Sequence, residues 1–300
     1  MTRKDPRKAL FFAILAVIFW STSPTAFKIG LGHQDSYQLL TGASITSTFV
    51  LGLILWIRGD RRKLLSMGWR DLGFSALMGF MNPVAYYLIL FKAYTILPAQ
   101  VAQPLNMVWP IVLVIISIPL LKQGISWLSI GAMLLSFSGV VLVSLQGGTA
   151  SGNPDNTLGI ILALSTSVIW ASYFIYNSRD NKDPVIRLFL NFLFATAYLL
   201  LGGLLKEQGL PGSTAGWITA MYVGTFEMGI TFFLWLTAMQ YAPTTDRISN
   251  LVYIAPFLNL FFVNQFLDEK IFLTTVYGII LLVSGIVIQN LIGRHAKRKG

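Results

Sequence analysis

Long apolar segments separated by short polar connections make up most of this chain. Each segment holds about 20 residues, the length that an α-helix needs to cross a lipid bilayer. None alternates over about ten residues as a strand of a membrane barrel does. Because backbone groups in lipid must find their hydrogen bonds within the segment, each segment is predicted to be a helix. The ten predicted spans are 9–30, 36–57, 70–92, 98–121, 126–145, 157–178, 185–205, 214–240, 245–267 and 272–292.

The composition agrees with this pattern. Of the 300 residues, 55% are hydrophobic and 11% are charged, whereas a soluble domain carries about 25% charged residues. The chain therefore has too few charged side chains to cover a surface in water, and we expect an all-α polytopic membrane protein. It contains no cysteine and only two histidines, His33 and His295, which excludes disulfides and thiolate metal sites. No metal and no cofactor are predicted.

The basic residues lie mostly on one side of the predicted membrane. With a cytoplasmic N-terminus, 18 of the 22 lysines and arginines fall in cytoplasmic segments, which is the positive-inside bias. We therefore expect a multi-pass protein of the cell (inner) membrane with both termini in the cytoplasm. No small-residue cleavage site follows the first apolar segment, so we interpret this segment as a retained first helix. The basic runs are expected to contact anionic lipid and not nucleic acid.

Matched residues indicate an internal repeat. Trp20 in the first span aligns with Trp170 in the sixth, and Asn82 in the third aligns with Glu227 in the eighth. Serine-glycine pairs at 138–139 and 284–285 align in the fifth and tenth spans. The alternative explanation is that any two halves of a polytopic protein share a hydropathy profile, but matched tryptophans are more specific than hydropathy.

Each half of the chain contains five predicted spans. Five is odd, so the second half enters the membrane from the opposite side. We expect two inverted five-helix repeats, residues 1–146 and 157–300, joined by a linker at 147–156 that is rich in glycine and polar residues. Inverted repeats are typical of secondary transporters, whose substrate site lies near the membrane midplane between the repeats.

These features resemble the drug/metabolite transporter superfamily, and in particular its ten-span EamA-type permeases. The resemblance implies export of amino acids and other metabolites by alternating access, often coupled to the proton gradient, although some members import or exchange. Such permeases end spans four and nine with a glycine-glutamate pair, which this chain replaces by Lys122-Gln123 and Asp268-Glu269. The resemblance rests on Trp20-Ser21-Thr22, Ile169-Trp170-Ala171, Pro256 to Glu269, and the two serine-glycine pairs.

Polar and aromatic positions recur on one face of several predicted spans. Polar groups are expensive in lipid, so we expect these faces to line a central pocket for a small amphipathic or aromatic solute. The alternative is helix–helix hydrogen bonding, worth about 0.6 kcal/mol per contact. The candidate substrate-binding residues are Trp20, Asn82, Tyr86, Gln103, Asn106, Trp109, Trp170, Tyr173, Trp235, Asn250 and Tyr253.

Glu227 lies near the centre of the eighth predicted span, with no basic residue nearby in sequence. A carboxyl group shielded from water favours its protonated form, so we interpret Glu227 as a proton-coupling site or as the partner of a substrate amine. The alternative is a protonated acid that only bonds a neighbouring helix.

These observations predict a secondary active transporter that exports an amino acid or a similar amphipathic solute. An importer, an exchanger and a lipid flippase are the alternatives. The expected partners are the solute, protons and the bilayer, with the chain acting as a monomer or a homodimer. The motifs HExxH, GxSxG, GxxxxGKS/T and GxGxxG are absent, so neither an enzyme nor an ATP-driven pump is expected.

Overall fold

The computed structural model describes residues 4–121, 127–144, 154–178, 180–206, 209–242 and 250–299. Every regular element within these ranges is helical. Seven of the described helices are long and apolar enough to cross a membrane, and three shorter apolar helices accompany them, Trp127–Val143, Leu251–Leu267 and Leu273–Gln289. The chain is therefore an all-α, multi-pass membrane protein, as its hydropathy pattern predicts.

We number the helical spans α1 to α10, and each corresponds to one predicted span. A short helix, Arg61–Leu65, follows α2. The bounds are α1 Pro6–Leu31, α2 Ser36–Arg58, α3 Trp69–Ile96, α4 Ala99–Asn106 continued by Trp109–Leu121, α5 Trp127–Ser144, α6 Pro154–Ser178, α7 Pro184–Lys206, α8 Thr214–Tyr241, α9 Asn250–Ile254 continued by Ala255–Leu267, and α10 Leu273–Lys299. Residues 147–153 of the predicted linker lie outside the described residues, and residues 154–156 form the start of α6.

Helix ends follow local capping chemistry. The Asp35 side chain accepts hydrogen bonds from the backbone N–H groups of Tyr37 and Gln38, and the Asp35 backbone N–H donates to the side-chain oxygen of Gln38. This capping box satisfies N–H groups that a helix start otherwise leaves unpaired. At the other end of α2, Gly59 adopts φ 71°, a left-handed conformation that glycine tolerates best.

The long helices α3 and α8 are each interrupted by one irregular segment. In α3 it is a kink within Phe80–Ala85, where Asn82 has the non-helical angles φ −145° and ψ 116° just before Pro83; in α8 it is the π-helical segment Val223–Gly229, which contains Glu227. The two segments lie at positions that align between the two halves of the sequence. Kinks follow from proline and short π-helical segments are frequent at functional sites, and here each irregular segment carries the polar residue that the aligned halves place in its span.

The spans α4 and α9 change geometry at equivalent points. In α4 the helix breaks at residues 107–108, ahead of Pro110, and in the described part of α9 the 3₁₀ segment Asn250–Ile254 precedes Pro256. Proline lacks a backbone N–H and obstructs the preceding turn of a helix, so both breaks have the same local cause.

Two glycines let helices approach closely at the irregular segments. Gly79 lies just before the kinked segment of α3, and Gly224 lies within the π-helical segment of α8. A Cβ atom on Gly79 of α3 would lie 2.3 Å from the backbone oxygen of Asn191 in α7. A Cβ on Gly224 of α8 would lie 2.4 Å from the backbone oxygen of Ala43 in α2. The contact between α3 and α7 thus has a counterpart in the contact between α8 and α2.

The other helix contacts follow the same pattern. Helix α5 packs on α10 and α2 packs on α7, while α1 contacts α8 and α9 and α6 contacts α3 and α4. If α1 is exchanged with α6, α2 with α7, and so on through α5 with α10, the same set of contacting helix pairs results. The α5–α10 contact depends on glycine, since a Cβ on Gly139 would lie 2.4 Å from the Gly278 oxygen. The inverted insertion of the second half stays a prediction.

Candidate functional site

A cavity of about 520 Å³ lies among the helices, with lining residues from α1, α3, α4, α6, α7, α8 and α9. Asn82 is 3% exposed and is not among the described lining residues. The side chain of Asn250 lies outside the described part of the structure. The remaining candidate residues all line the cavity: Trp20, Tyr86, Gln103, Asn106, Trp109, Trp170, Tyr173, Glu227, Trp235 and Tyr253.

Aromatic rings form a continuous wall of this cavity. The ring of Trp20 lies 5.3 Å from that of Trp235 and 5.6 Å from that of Phe232. The ring of Trp170 lies 5.9 Å from that of Phe232 and 5.2 Å from that of Tyr86. Such tilted and edge-on pairs stabilise aromatic clusters beyond the burial of their area. The wall therefore offers a rigid apolar surface to a small ligand.

Glu227 is the acidic residue within this aromatic region. Ser23 of α1 donates a hydrogen bond to its Oε2 at 2.6 Å, and the Tyr87 hydroxyl of α3 donates to its Oε1 at 2.8 Å. No lysine or arginine forms an ion pair with Glu227 among the described residues. The carboxyl group thus has only hydroxyl partners and retains lone pairs for a proton or a ligand.

Two amides of α4 that line the cavity have different surroundings. Asn106 accepts a hydrogen bond from the Tyr86 hydroxyl at 3.1 Å and donates to the Thr166 hydroxyl at 2.7 Å. It therefore joins α3, α4 and α6, as the helix–helix alternative proposes. Gln103 is 4% exposed, and its Oε1 is buried without a hydrogen-bond donor among the described residues. The side chain lines the cavity, and it must rotate before this oxygen can accept a bond from a ligand.

Charged residues gather at one end of the cavity, in the α6–α7 connection. Arg187 donates to Asp71 Oδ1 at 2.9 Å, to the Ser75 hydroxyl at 3.0 Å and also to Asp180. Lys182 forms a second ion pair with Asp71 at 3.1 Å. Burial opposes ionisation of Asp180, but the hydrogen bonds from Arg187 prevail and hold the pKa of its carboxyl below 3.8. The cluster joins α3 to the start of α7.

A second set of contacts closes around the turn between α3 and α4. The Lys28 ammonium donates to the backbone oxygens of Tyr94 at 2.9 Å and Leu97 at 3.1 Å, at the C-terminus of α3. Glu269 accepts from the backbone N–H groups of Ala99 at 2.9 Å and Gln100 at 3.4 Å, at the N-terminus of α4. A cation at a helix C-terminus and an anion at an N-terminus are both favourable. We call these four contacts the α3–α4 clasp.

Two segments of the chain, residues 7–145 and 157–291, each match the model of the EamA-like transporter family. The chain belongs to this family. The family and the relatives described next are transporters, so the expectation that the chain is not an enzyme is confirmed.

Similar EamA-like proteins include two named exporters. The aromatic amino acid exporter YddG of Ancylobacter novellus is 25% identical, with 77% of this chain and 79% of that protein aligned. A probable terminal-alkyne amino-acid exporter of Streptantibioticus cattleyicolor is 23% identical over 83% of this chain and 82% of that protein. An uncharacterized transporter of Clostridium kluyveri is 25% identical over 94% and 93%. A solved crystal structure with 20% identity superimposes with a TM-score of 0.69 and covers 98% of this chain and 99% of its own, which shows the same fold.

Several contacts of this EamA-like site have no simple signal in the sequence. A regular helical face through Asn82 and Tyr86 does not include Tyr87. The helix is kinked at Asn82, whose φ −145° and ψ 116° are not helical, so Asn82 is buried away from the cavity lining while Tyr86 and Tyr87 both face it. Phe232, which joins the two ends of the aromatic wall, is one of three phenylalanines in α8 and carries no distinguishing pattern in the sequence.

Proposed function

We propose that this EamA-like transporter exports an amino acid or a similar amphipathic metabolite through the central cavity by alternating access. The observation that carries the proposal is the cavity itself, in which aromatic rings surround the Glu227 carboxyl group and buried amides. Ligand sites are typically concave and mostly apolar, with a few placed polar groups. The names of the two exporters among its relatives support the direction and the solute class.

The matched helix contacts support two inverted repeats, residues 1–146 and 157–300. In inverted repeats, access alternates when one repeat rocks against the other around a fixed site. The charged cluster of the α6–α7 connection and the α3–α4 clasp belong to different ends of this arrangement. We infer that the two ends open in turn, with both termini in the cytoplasm and the protein in the cell membrane.

Glu227 is the group that we assign to proton coupling. It lies in a π-helical segment of α8, and its hydrogen bonds from Ser23 and Tyr87 come from α1 and α3. Binding of a proton to this carboxyl group changes the hydrogen bonds that connect the two repeats. An inward proton gradient can then drive export of the solute.

The test uses purified protein in liposomes loaded with radiolabelled phenylalanine and other amino acids, with and without an imposed pH gradient. We expect the gradient to accelerate solute efflux, and Glu227→Gln to abolish this acceleration. Asp268→Asn is the matched control, because Asp268 is an exposed carboxylate in a left-handed conformation that asparagine also adopts.

Three outcomes contradict parts of the proposal. A Glu227→Gln protein that transports at full rate with unchanged pH dependence removes the coupling role. Uptake without efflux makes the protein an importer. Phospholipid scrambling with no solute movement makes it a flippase and removes the transport of metabolites altogether.

A further inference from the structure

We infer that the cavity recognises its substrate by an ammonium group attached to an aromatic or bulky apolar body, and that a substrate carboxylate is not required. This inference rests on the proposed transport function and specifies the substrate class at the same site. Amines that lack a carboxylate are then substrates or competitors alongside amino acids.

The first argument is the balance of hydrogen-bonding groups in the cavity. Gln103 Oε1 is a buried acceptor to which no described residue donates, and rotation of this cavity-lining side chain would turn it towards a ligand. Each oxygen of the Glu227 carboxyl group accepts one hydrogen bond, and an ionised carboxylate has about four acceptor positions in total. The unmet groups are thus acceptors, and a buried acceptor without a donor is unfavourable. A ligand that supplies several N–H donors satisfies them, and an ammonium group supplies three.

The second argument is the electrostatic character of the aromatic wall. The faces of aromatic rings are negative, and a cation within about 6 Å of a ring centre is attracted to them, most strongly by tryptophan. Phe232 connects Trp20 to Trp170, Trp235 packs on Trp20, and all three tryptophans line the same cavity as Glu227. The rings and the carboxyl group therefore both favour a positive charge on the ligand.

The third argument concerns the cations of the cavity. Among the described lining residues the cationic side chains are Lys182 and Arg187. Both are engaged by Asp71, and Arg187 also by Asp180. A ligand carboxylate that took Arg187 would leave Asp180 without its ion-pair partner, which is costly because both side chains are largely buried. Lys182 is 46% exposed, and a ligand carboxylate would have to compete with Asp71 for it. The described cavity thus contains a binding partner for an ammonium group and offers none of equal quality for a carboxylate.

The test compares ligands that share one apolar body. They are phenylalanine, phenylalanine amide, phenethylamine and 3-phenylpropionate, each assayed as a competitor of phenylalanine efflux and by its effect on the thermal unfolding of the purified protein. We expect the two compounds without a carboxylate to match phenylalanine to within about threefold, and 3-phenylpropionate, which lacks the amine, to bind at least about tenfold more weakly because it loses a charge-assisted hydrogen bond.

Two variants separate the contributions of the acceptors. Glu227→Gln should weaken phenethylamine binding by about tenfold or more, and Gln103→Met, which keeps the volume and removes the acceptor, should weaken it by about threefold or more. Gln103→Met should leave the weak binding of 3-phenylpropionate unchanged, and Glu227→Gln should not weaken it further, because the variant removes a negative charge that repels the ligand carboxylate. Asp268→Asn should leave all four ligands unaffected. The ligand comparison on the unaltered protein does not depend on whether either variant folds.

The outcomes distinguish this inference from the proposed function. If phenylalanine is transported but phenethylamine does not compete, or 3-phenylpropionate competes equally well, the ammonium inference is wrong and metabolite transport stands. If neither amino acids nor amines move or bind, both are wrong.

Discussion

Replacing Gly79 by alanine tests the close contact between α3 and α7. The new methyl group would lie 2.3 Å from the Asn191 backbone oxygen and 3.2 Å from its carbonyl carbon. Ordinary contact begins near 3.4 Å, so the two helices must separate locally by about 1 Å to remove the overlap. The obstructing atom belongs to the backbone of a helix and cannot rotate away as a side chain does.

The expected loss of stability follows from this geometry. Overpacking a well-packed interior typically costs about 1–3 kcal/mol, and a backbone obstacle places Gly79→Ala towards the upper end of that range. Gly224→Ala should lose a similar amount, because its methyl group would lie 2.4 Å from the Ala43 oxygen. Gly73→Ala is the matched control in the same helix α3, since nothing lies within 4 Å of its Cβ position. There alanine should stabilise the helix by about 0.5–1 kcal/mol.

The assay is the unfolding of the purified protein in detergent, followed by intrinsic tryptophan fluorescence for the wild type and the three variants. We expect Gly79→Ala and Gly224→Ala to unfold well before the wild type and Gly73→Ala to unfold slightly later. Equal stability of Gly79→Ala and Gly73→Ala would show that α3 and α7 are not in backbone contact. A large loss at Gly79 with none at Gly224 would show that the two halves pack differently.

Two further predictions concern the ends of the cavity. Lys28→Met removes the ammonium donor of the α3–α4 clasp. The readout is a cysteine introduced as Leu97→Cys, at a buried position in a chain without cysteine, and Lys28→Met should raise the rate at which this cysteine reacts with a membrane-impermeant maleimide. A rate equal to that with the exposed control Lys92→Met would contradict a closing role. The ion pair with Arg187 holds the pKa of Asp180 below 3.8, so it stabilises the fold above that pH and this contribution is lost as the pH falls through the lowered pKa. Between pH 5 and pH 3, about the range over which the carboxyl group titrates, the free energy of unfolding should therefore depend less on pH in Asp180→Asn than in the wild type. Identical slopes of unfolding free energy against pH would refute the assignment.

The helical class and the inward position of ten cavity-lining residues could be predicted from the sequence because both follow from one rule. Polar and aromatic side chains avoid lipid, so residues such as Gln103 and Trp170 face inward wherever a span is a regular helix. The rule fails where the helix is irregular. The kink of α3 at Asn82 and Pro83 changes the direction of the side chains that follow, which leaves Asn82 in the packing and brings Tyr87 to Glu227.

Pairings between distant segments are the other part that the sequence does not reveal. Arg187 and Asp71 are separated by more than a hundred residues, and Lys28 contacts backbone oxygens that have no residue-specific signature. Both interactions depend on which helices become neighbours, and hydropathy does not specify neighbours. The family resemblance supplies the overall arrangement but leaves these partners undetermined.

The hydrogen bonds of Glu227 have one mechanical consequence. Ser23 and Tyr87 belong to residues 1–146, and Glu227 belongs to residues 157–300. A proton or an ammonium group that binds Glu227 therefore binds at the point where the two halves of the chain are hydrogen-bonded to each other. Under the proposed function, loading of the cavity acts on this junction directly, and no separate sensor has to report that cargo has arrived.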